Sequence, residues 1–150
     1  MGFISPGFYF DSVGQVRRCY GRALEPVCRA FGLTRNEMDV VLFLHNNPEF
    51  RRAADIVRHR GMAKSHVSLS VSSLEKQGFL RRRFAEGDRR AAYLELTEKG
   101  LTVAREGRAI QEDFFRRLFD GISREELAQW QEMTRRVQRN IEAVYRDLEG

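Results

Sequence analysis

Residues 54–78, ADIVRHRGMAKSHVSLSVSSLEKQG, run straight into residues 79–97, FLRRRFAEGDRRAAYLELT, and the reading of these two stretches decides the fold. The first holds two short apolar periodicities around a glycine. Ala53, Ile56 and Val57 predict a helix near residues 52–59, and Gly61 supplies the turn. Val67, Val71 and Leu74 form the buried stripe of a second helix over residues 64–77, which Gly78 ends. The second stretch changes period. Residues 81–85 read as a strand, Glu86-Gly87-Asp88 as a turn tip, and residues 91–96 as the returning strand, with apolar-polar alternation through Tyr93, Leu94, Glu95 and Leu96. Two helices across a tight glycine turn, then a β-hairpin, is the pattern of a winged helix-turn-helix.

Outward from this unit the chain reads as helix on both sides. Thr34-Arg35-Asn36-Glu37 is a capping box that opens a helix through Met38, Val41, Leu42 and His45. Asn46-Asn47-Pro48 breaks it, and Phe50 offers an apolar contact to the next unit. Before it, Val13, Val16, Tyr20, Ala23, Val27 and Ala30 recur at three- and four-residue steps, so residues 11–31 form a helix with Gly32 at its C-terminal cap. Residues 1–10 read as a loosely ordered arm. After the hairpin, Thr97 N-caps a helix reaching about Phe119, with Leu101, Ala104, Ile110, Phe114 and Leu118 along it. Asp120-Gly121 interrupts, and Ser123-Arg124-Glu125-Glu126 is a second capping box. The last helix carries Leu127, Trp130, Met133, Val137, Ile141, Val144 and Leu148 at steps of three and four, a stripe longer than a small core needs. The predicted class is therefore mainly α with a small β-hairpin wing: a winged helix-turn-helix over residues 34–97, with long dimerisation helices over residues 11–31 and 98–148 of a single 150-residue unit.

Charge is unevenly placed. Residues 51–90 hold eleven Lys/Arg against four Asp/Glu, a net of +7 in a chain whose total is +5. Residues 98–150 net −1. A basic segment inside an otherwise balanced chain is the footprint of a surface that meets a polyanion, and equally of a solvated basic face. No apolar run approaches the roughly 20 residues that span a bilayer, and the N-terminus lacks the basic region of a secretory leader. The expectation is a cytoplasmic protein without a membrane partner. Cys19 and Cys28 lie nine apart, outside C-x-x-C spacing, and read as buried thiols suited to a reducing compartment. There is no glycine-rich phosphate loop, nucleophile elbow, patterned carboxylate pair or metal cluster, so the chain is not read as an enzyme and no cofactor is expected.

The residues placed to meet double-stranded DNA are these. The outer face of the second helix carries Lys64, Ser65, His66, Ser68, Ser70 and Ser72. Short side chains let a helix sit deep in a groove about 12 Å wide, and these can donate to phosphates or base edges. A plain solvated face would also be rich in serine. Arg81, Arg82 and Arg83 lead into the hairpin and Arg89-Arg90 follow its tip. Such a tip suits a narrow A·T-rich minor groove. Asp88 is expected to orient one of the neighbouring guanidiniums.

Four strings then resemble the MarR family, in residues and in spacing: G-L-T-R-N-E (32–37), S-L-E-K-Q-G-F-L-R-R (73–82), D-R-R-A (88–91) and L-T-E-K-G (96–100). The resemblance spans roughly residues 14–144. It implies a homodimeric winged helix with interlocking terminal helices, acting as a transcription regulator on a pseudo-palindromic operator. The helix over residues 64–77 would enter the major groove. The D-x-R wing motif falls on Asp88 and Arg90, with Arg89 beside them. Relatives commonly carry Ser or Thr at the recognition-helix N-cap, where this chain has Ala63. Either Ser65 caps a shorter helix or the cap is lost, at about 1 kcal/mol.

The resemblance also implies regulation, most simply a repressor released by a small aromatic effector. Tyr20, Phe31 and His45 are the candidates for such a pocket, and would serve equally as core. Cys19, preceded by Arg17 and Arg18, is the candidate for a thiol-based redox sensor of the same fold. His45, His59 and His66 lack metal-ligand spacing, so no metal is expected. The competing readings are a sequence-independent, nucleoid-type DNA binder and an interaction module that has lost DNA binding.

Overall fold

A computed structural model describes residues 5–150, so residues 1–4, Phe3 of the expected arm among them, lie outside the described part. The chain divides into one compact unit ending at Phe114 and a second of Phe115–Gly150. The element order is α1 (Pro6–Phe31), α2 (Arg35–Asn46), α3 (Ala53–Arg60), α4 (Lys64–Lys76), β1 (Leu80–Ala85), β2 (Asp88–Leu96), α5 (Glu98–Leu118) and α6 (Arg124–Glu149). Among the described residues no helix is long and apolar enough to cross a membrane.

In the first unit α2 lies at the centre. The Thr34–Glu37 capping box forms in both directions: the Glu37 amide donates to Thr34 Oγ1 at 3.2 Å, and the Thr34 amide to Glu37 Oε2 at 2.8 Å. Met38 and Val40 through Leu44 are all buried, so this helix is apolar on most of its circumference rather than on one stripe. Ile56 of α3, Val67, Val71 and Leu74 of α4, Phe79, and Leu80 and Leu94 of the hairpin complete the core with Leu24, Val27, Leu33, Val103 and Ala104.

Three expectations need correction. Helix α1 starts at Pro6, so residues 6–10 are helix rather than arm; proline presets the helical φ at a first turn whose amides have no intrahelical partner anyway. Its buried residues are Leu24 and Val27, while Val13 and Ala30 of the expected stripe are exposed. The thiols are not both buried: Cys19 is exposed and Cys28 intermediate. Burial raises the Cys28 thiol pKa.

The L-T-E-K-G string has a steric reason. Thr97 N-caps α5, its hydroxyl accepting from the Gly100 amide at 3.2 Å and donating to the Gly78 carbonyl at 2.6 Å. A Cβ on Gly100 would lie 2.0 Å from the Phe79 carbonyl oxygen, so only glycine lets α5 start this close to the wing.

In the second unit the Ser123–Glu126 capping box opens α6 as expected. Backbone and hydroxyl hydrogen bonds from Ser123 hold the Glu126 carboxyl below its ordinary pKa. Phe119 packs on Trp130 with ring centroids 5.1 Å apart. No residue of α6 is buried: Trp130, Met133, Val137, Ile141, Val144 and Leu148 are all exposed large hydrophobics.

Candidate nucleic-acid interface

Helix α4 is positioned from both ends. Gly61 turns the chain in the left-handed conformation at φ 62° after α3, and Gly78 does the same at φ 80° before β1. The helix begins at Lys64 with Ala63 as N-cap and no side-chain cap, so of the two outcomes for the missing Ser/Thr it is the lost cap that holds. Val67, Ser70, Val71 and Leu74 face the core. Ser70, expected on the outer face, is only 5% exposed. Lys64, Ser65, His66, Ser68 and Ser72 are exposed as expected. At about 100° per residue, Ser65 and Ser72 point directly away from the core, while Lys64 and His66 lie on opposite flanks.

The hairpin pairs Leu80 with Leu96 through Phe84 with Ala92, and then Ala85 with Asp88. The register therefore breaks between Phe84 and Ala85, and Arg89, Arg90 and Ala91 fall in the irregular stretch of β2 with no Cα partner on β1. The Leu94 amide donates to the Arg51 carbonyl at 2.7 Å, which ties the segment before α3 to the wing.

The five hairpin arginines are not equivalent. Arg82 turns onto α4, donating to Glu75 Oε1 at 2.6 Å and Ser72 Oγ at 3.2 Å. Arg81 and Arg83 both pair with Glu95 Oε2, at 3.0 and 2.5 Å. The Arg81 hydrogen bond, with Arg83 behind it, holds the Glu95 carboxyl below its ordinary pKa. Arg83, expected to be free for DNA, is thus already partly neutralised. Arg89 and Arg90 are exposed, and among the described residues no carboxylate pairs with either. Asp88 does not orient a guanidinium. Its Oδ1 accepts from the Arg90 backbone amide at 2.9 Å, so it fixes the chain at the tip instead.

Between α3, α4 and the hairpin runs a groove of about 580 Å³. Arg52, Arg58, Lys64, Arg82 and Arg90 line it over an apolar floor that includes Val57, Val67 and Leu94, and no carboxylate does. Arg52 is held there by Tyr93, donating to its hydroxyl at 2.9 Å with the guanidinium 4.9 Å from the ring centroid. Sequence reasoning passed over Arg52 and Arg58 of this groove, although both carried a signal in the local charge excess.

The residues named for sensing lie elsewhere. Tyr20, half-buried in α1, accepts from Gln111 Nε2 at 2.6 Å, and Gln111 Oε1 accepts from Asn46 Nδ2 at 2.8 Å, which links α1, α5 and α2. Its ring lies 5.3 Å from that of Phe114 and 4.6 Å from the Arg35 guanidinium carbon. Burial raises the Tyr20 pKa against the lowering effect of the Gln111 hydrogen bond. Phe31 packs against the core and His45 is half-buried on the last turn of α2. His45, His59 and His66 stand on three different helices, and among the described residues no three His, Cys, Asp or Glu gather as a metal site would require.

Residues 31–91 match the MarR family. The chain is similar to the transcriptional repressor MprA of Escherichia coli, 30% identical over 87 residues, which are 58% of this chain and 49% of that protein. The chain thus spans about half of MprA's length. It is 25% identical over 142 residues to the HTH-type transcriptional regulator PecS of Dickeya dadantii, covering 92% of this chain and 84% of PecS. Among solved structures it shares its fold, at a TM-score of 0.80 and 16% identity, with a Listeria monocytogenes protein classed with MarR family regulators and crystallised with 26mer DNA; 94% of this chain and 90% of that one are covered.

Proposed function

We propose that this chain is a winged-helix transcription regulator of the MarR family, whose model residues 31–91 match, and that it is a cytoplasmic, homodimeric, sequence-specific DNA-binding repressor that releases its operator when a small aromatic effector binds. The carrying observation is the charge layout of the winged helix. Its five hairpin arginines divide into Arg81, Arg82 and Arg83, held by protein carboxylates, and the pair at the tip, Arg89 and Arg90, held by none among the described residues. Cations left unpaired beside a carboxylate-free groove suit phosphates and the enhanced negative potential of a narrow minor groove. Lys64, Ser65, His66 and Ser68 of α4 would enter the major groove, and Arg83, Asp88, Arg89 and Arg90 would set the wing. Two copies are favoured by the exposed apolar stripe of α6, whose period suits a helix-helix interface. The name of MprA supports repression. For the effector, the reading rests on the Tyr20–Gln111–Asn46 chain, which a ligand near Tyr20, Phe31 or His45 would disturb.

The test is fluorescence anisotropy on the DNA upstream of the protein's own gene, against a shuffled duplex, at several salt concentrations. A preference of about a thousandfold for the native duplex is expected. Arg90→Ala should weaken binding about tenfold while leaving the fold intact. Equal, steeply salt-dependent binding to both duplexes would replace the proposal with a sequence-independent binder.

A further inference from the structure

Leu69 occupies the middle of α4 and is 70% exposed. Single exposed leucines are ordinary on protein surfaces, so exposure alone says nothing; the position does. Ser65, Leu69, Ser72 and Lys76 follow one another at steps of four, three and four, and all are exposed. They form the strip opposite the buried Val67, Ser70, Val71 and Leu74. Leu69 is the one apolar side chain on that strip, one turn from a serine on either side. Its presence there serves no packing role in the protein, since the core contacts of α4 are all made from the other face.

We propose that Leu69 is a specificity-determining residue that reads the C5-methyl group of thymine in the major groove. The inference rests on α4 being the recognition helix, as proposed above. The base edges of the major groove present hydrogen-bond donors and acceptors, and the thymine methyl is their one apolar feature. A leucine pressed on that methyl removes apolar surface of both partners from water. The same leucine pressed on a G·C edge strips water from polar groups and returns no hydrogen bond, which disfavours that pair. Leu69 therefore selects by attraction at T·A and by rejection at G·C, between serines short enough to let it reach the groove floor.

Replacing thymine by uracil removes this methyl and leaves the Watson–Crick pairing intact, which makes the test direct. Full-length wild type first selects its preferred sequence from a random duplex library. Each thymine of that duplex is then replaced singly by uracil, and binding of wild type and Leu69→Ala is measured. One thymine position per half-site should matter to wild type by about fourfold, the worth of one buried methyl group. Leu69→Ala, with a melting temperature like that of wild type, should bind the thymine and uracil forms equally. If wild type tolerates uracil everywhere, or Leu69→Ala loses as much as wild type at the same position, the assignment to Leu69 is overturned while the DNA-binding reading stands. If wild type enriches no sequence at all, the recognition-helix reading falls, and Leu69 with it.

Discussion

Helices α4 and α6 are both amphipathic, and they treat their apolar faces in opposite ways. In α4, Val67, Val71 and Leu74 are sunk into the core of their own unit, and the strip that faces water is polar but for Leu69. In α6, Trp130, Met133, Val137, Ile141 and Val144 recur with the same helical period, yet each is about half exposed and no residue of the helix is buried. The winged region satisfies its own hydrophobic demand and turns charge outward. Helix α6 turns its hydrophobic demand outward. On the function proposed above, the contrast separates a surface for a polyanion from one for another apolar face, and a helical period alone does not say which of the two a stripe serves.

The largest effect should come from attacking the α6 side. Val137 and Ile141, 47% and 51% exposed, lie on the stripe one turn apart. Val137→Asp with Ile141→Asp places two charges where the proposed dimer needs apolar contact, and an uncompensated charge in such a seam is strongly disfavoured. Each protomer should keep its helical content, because neither side chain is buried in the single chain. Sedimentation should show a monomer, and operator affinity should fall roughly a hundredfold or more as the second half-site is lost. A double variant that still sediments as a dimer would move the interface off α6.

The winged side should break differently, by unfolding. Gly100→Ala would place a methyl 2.0 Å from the Phe79 carbonyl oxygen, which also accepts the Thr97 amide at 3.1 Å. Backbone on both sides of the contact has no rotamer to escape into, so the cost should be about 3 kcal/mol. In a chain of this size that lowers the melting temperature by about 10 °C. Gly14→Ala is the control, because its Cβ would meet only the flexible end of Arg18 at 3.3 Å. It should be neutral or slightly stabilising. Equal losses from both substitutions would mean that helix glycines matter here for a reason other than close approach.

How far each region was legible in the sequence follows the same divide. The winged region was readable because its signals are local: the Thr34 capping box, the positive-φ turns at Gly61 and Gly78, and the switch from period 3.6 to period 2 all act within a few residues. What escaped were the partners that lie far along the chain. Glu95 claims Arg81 and Arg83 only once the hairpin register is fixed, and Glu75 claims Arg82 across the α4–β1 turn. In α1, Tyr20 and Val27 belong to two possible stripes, and the structure chose the one through Leu24 over the one through Ala23. In α5, Gly107 marks a close approach, a Cβ there falling 2.9 Å from Leu42, but a mid-helix glycine does not say which helix comes near. The exposed stripe of α6 was legible as a pattern, and on the dimer proposed above its cover is a second copy.

The smallest predicted effect sharpens the claim that the winged region spends its charge on a partner rather than on its own stability. The Glu95 side chain is 36% exposed and pairs with both Arg81 and Arg83, themselves more than half exposed. Exposed pairs contribute little to folding, so Glu95→Gln should leave the neutral-pH melting temperature nearly unchanged. Its folded carboxyl pKa is lowered, chiefly by the Arg81 hydrogen bond. A lowered carboxyl contributes stability above its unfolded value, near about 4.3, and loses it as pH falls through the folded value. The acid limb of the wild-type stability profile should therefore be slightly steeper than that of Glu95→Gln, with no difference above pH about 6. On DNA the sign reverses. The variant frees two arginines on the face that carries the wing, so it should bind any duplex a few-fold more tightly at low salt. Its salt slope should steepen by about 0.9 for each new phosphate contact. If affinity and slope stay at wild-type values while the acid limb changes, Arg81 and Arg83 belong to the hairpin's own structure, and only the tip pair, Arg89 and Arg90, faces the partner.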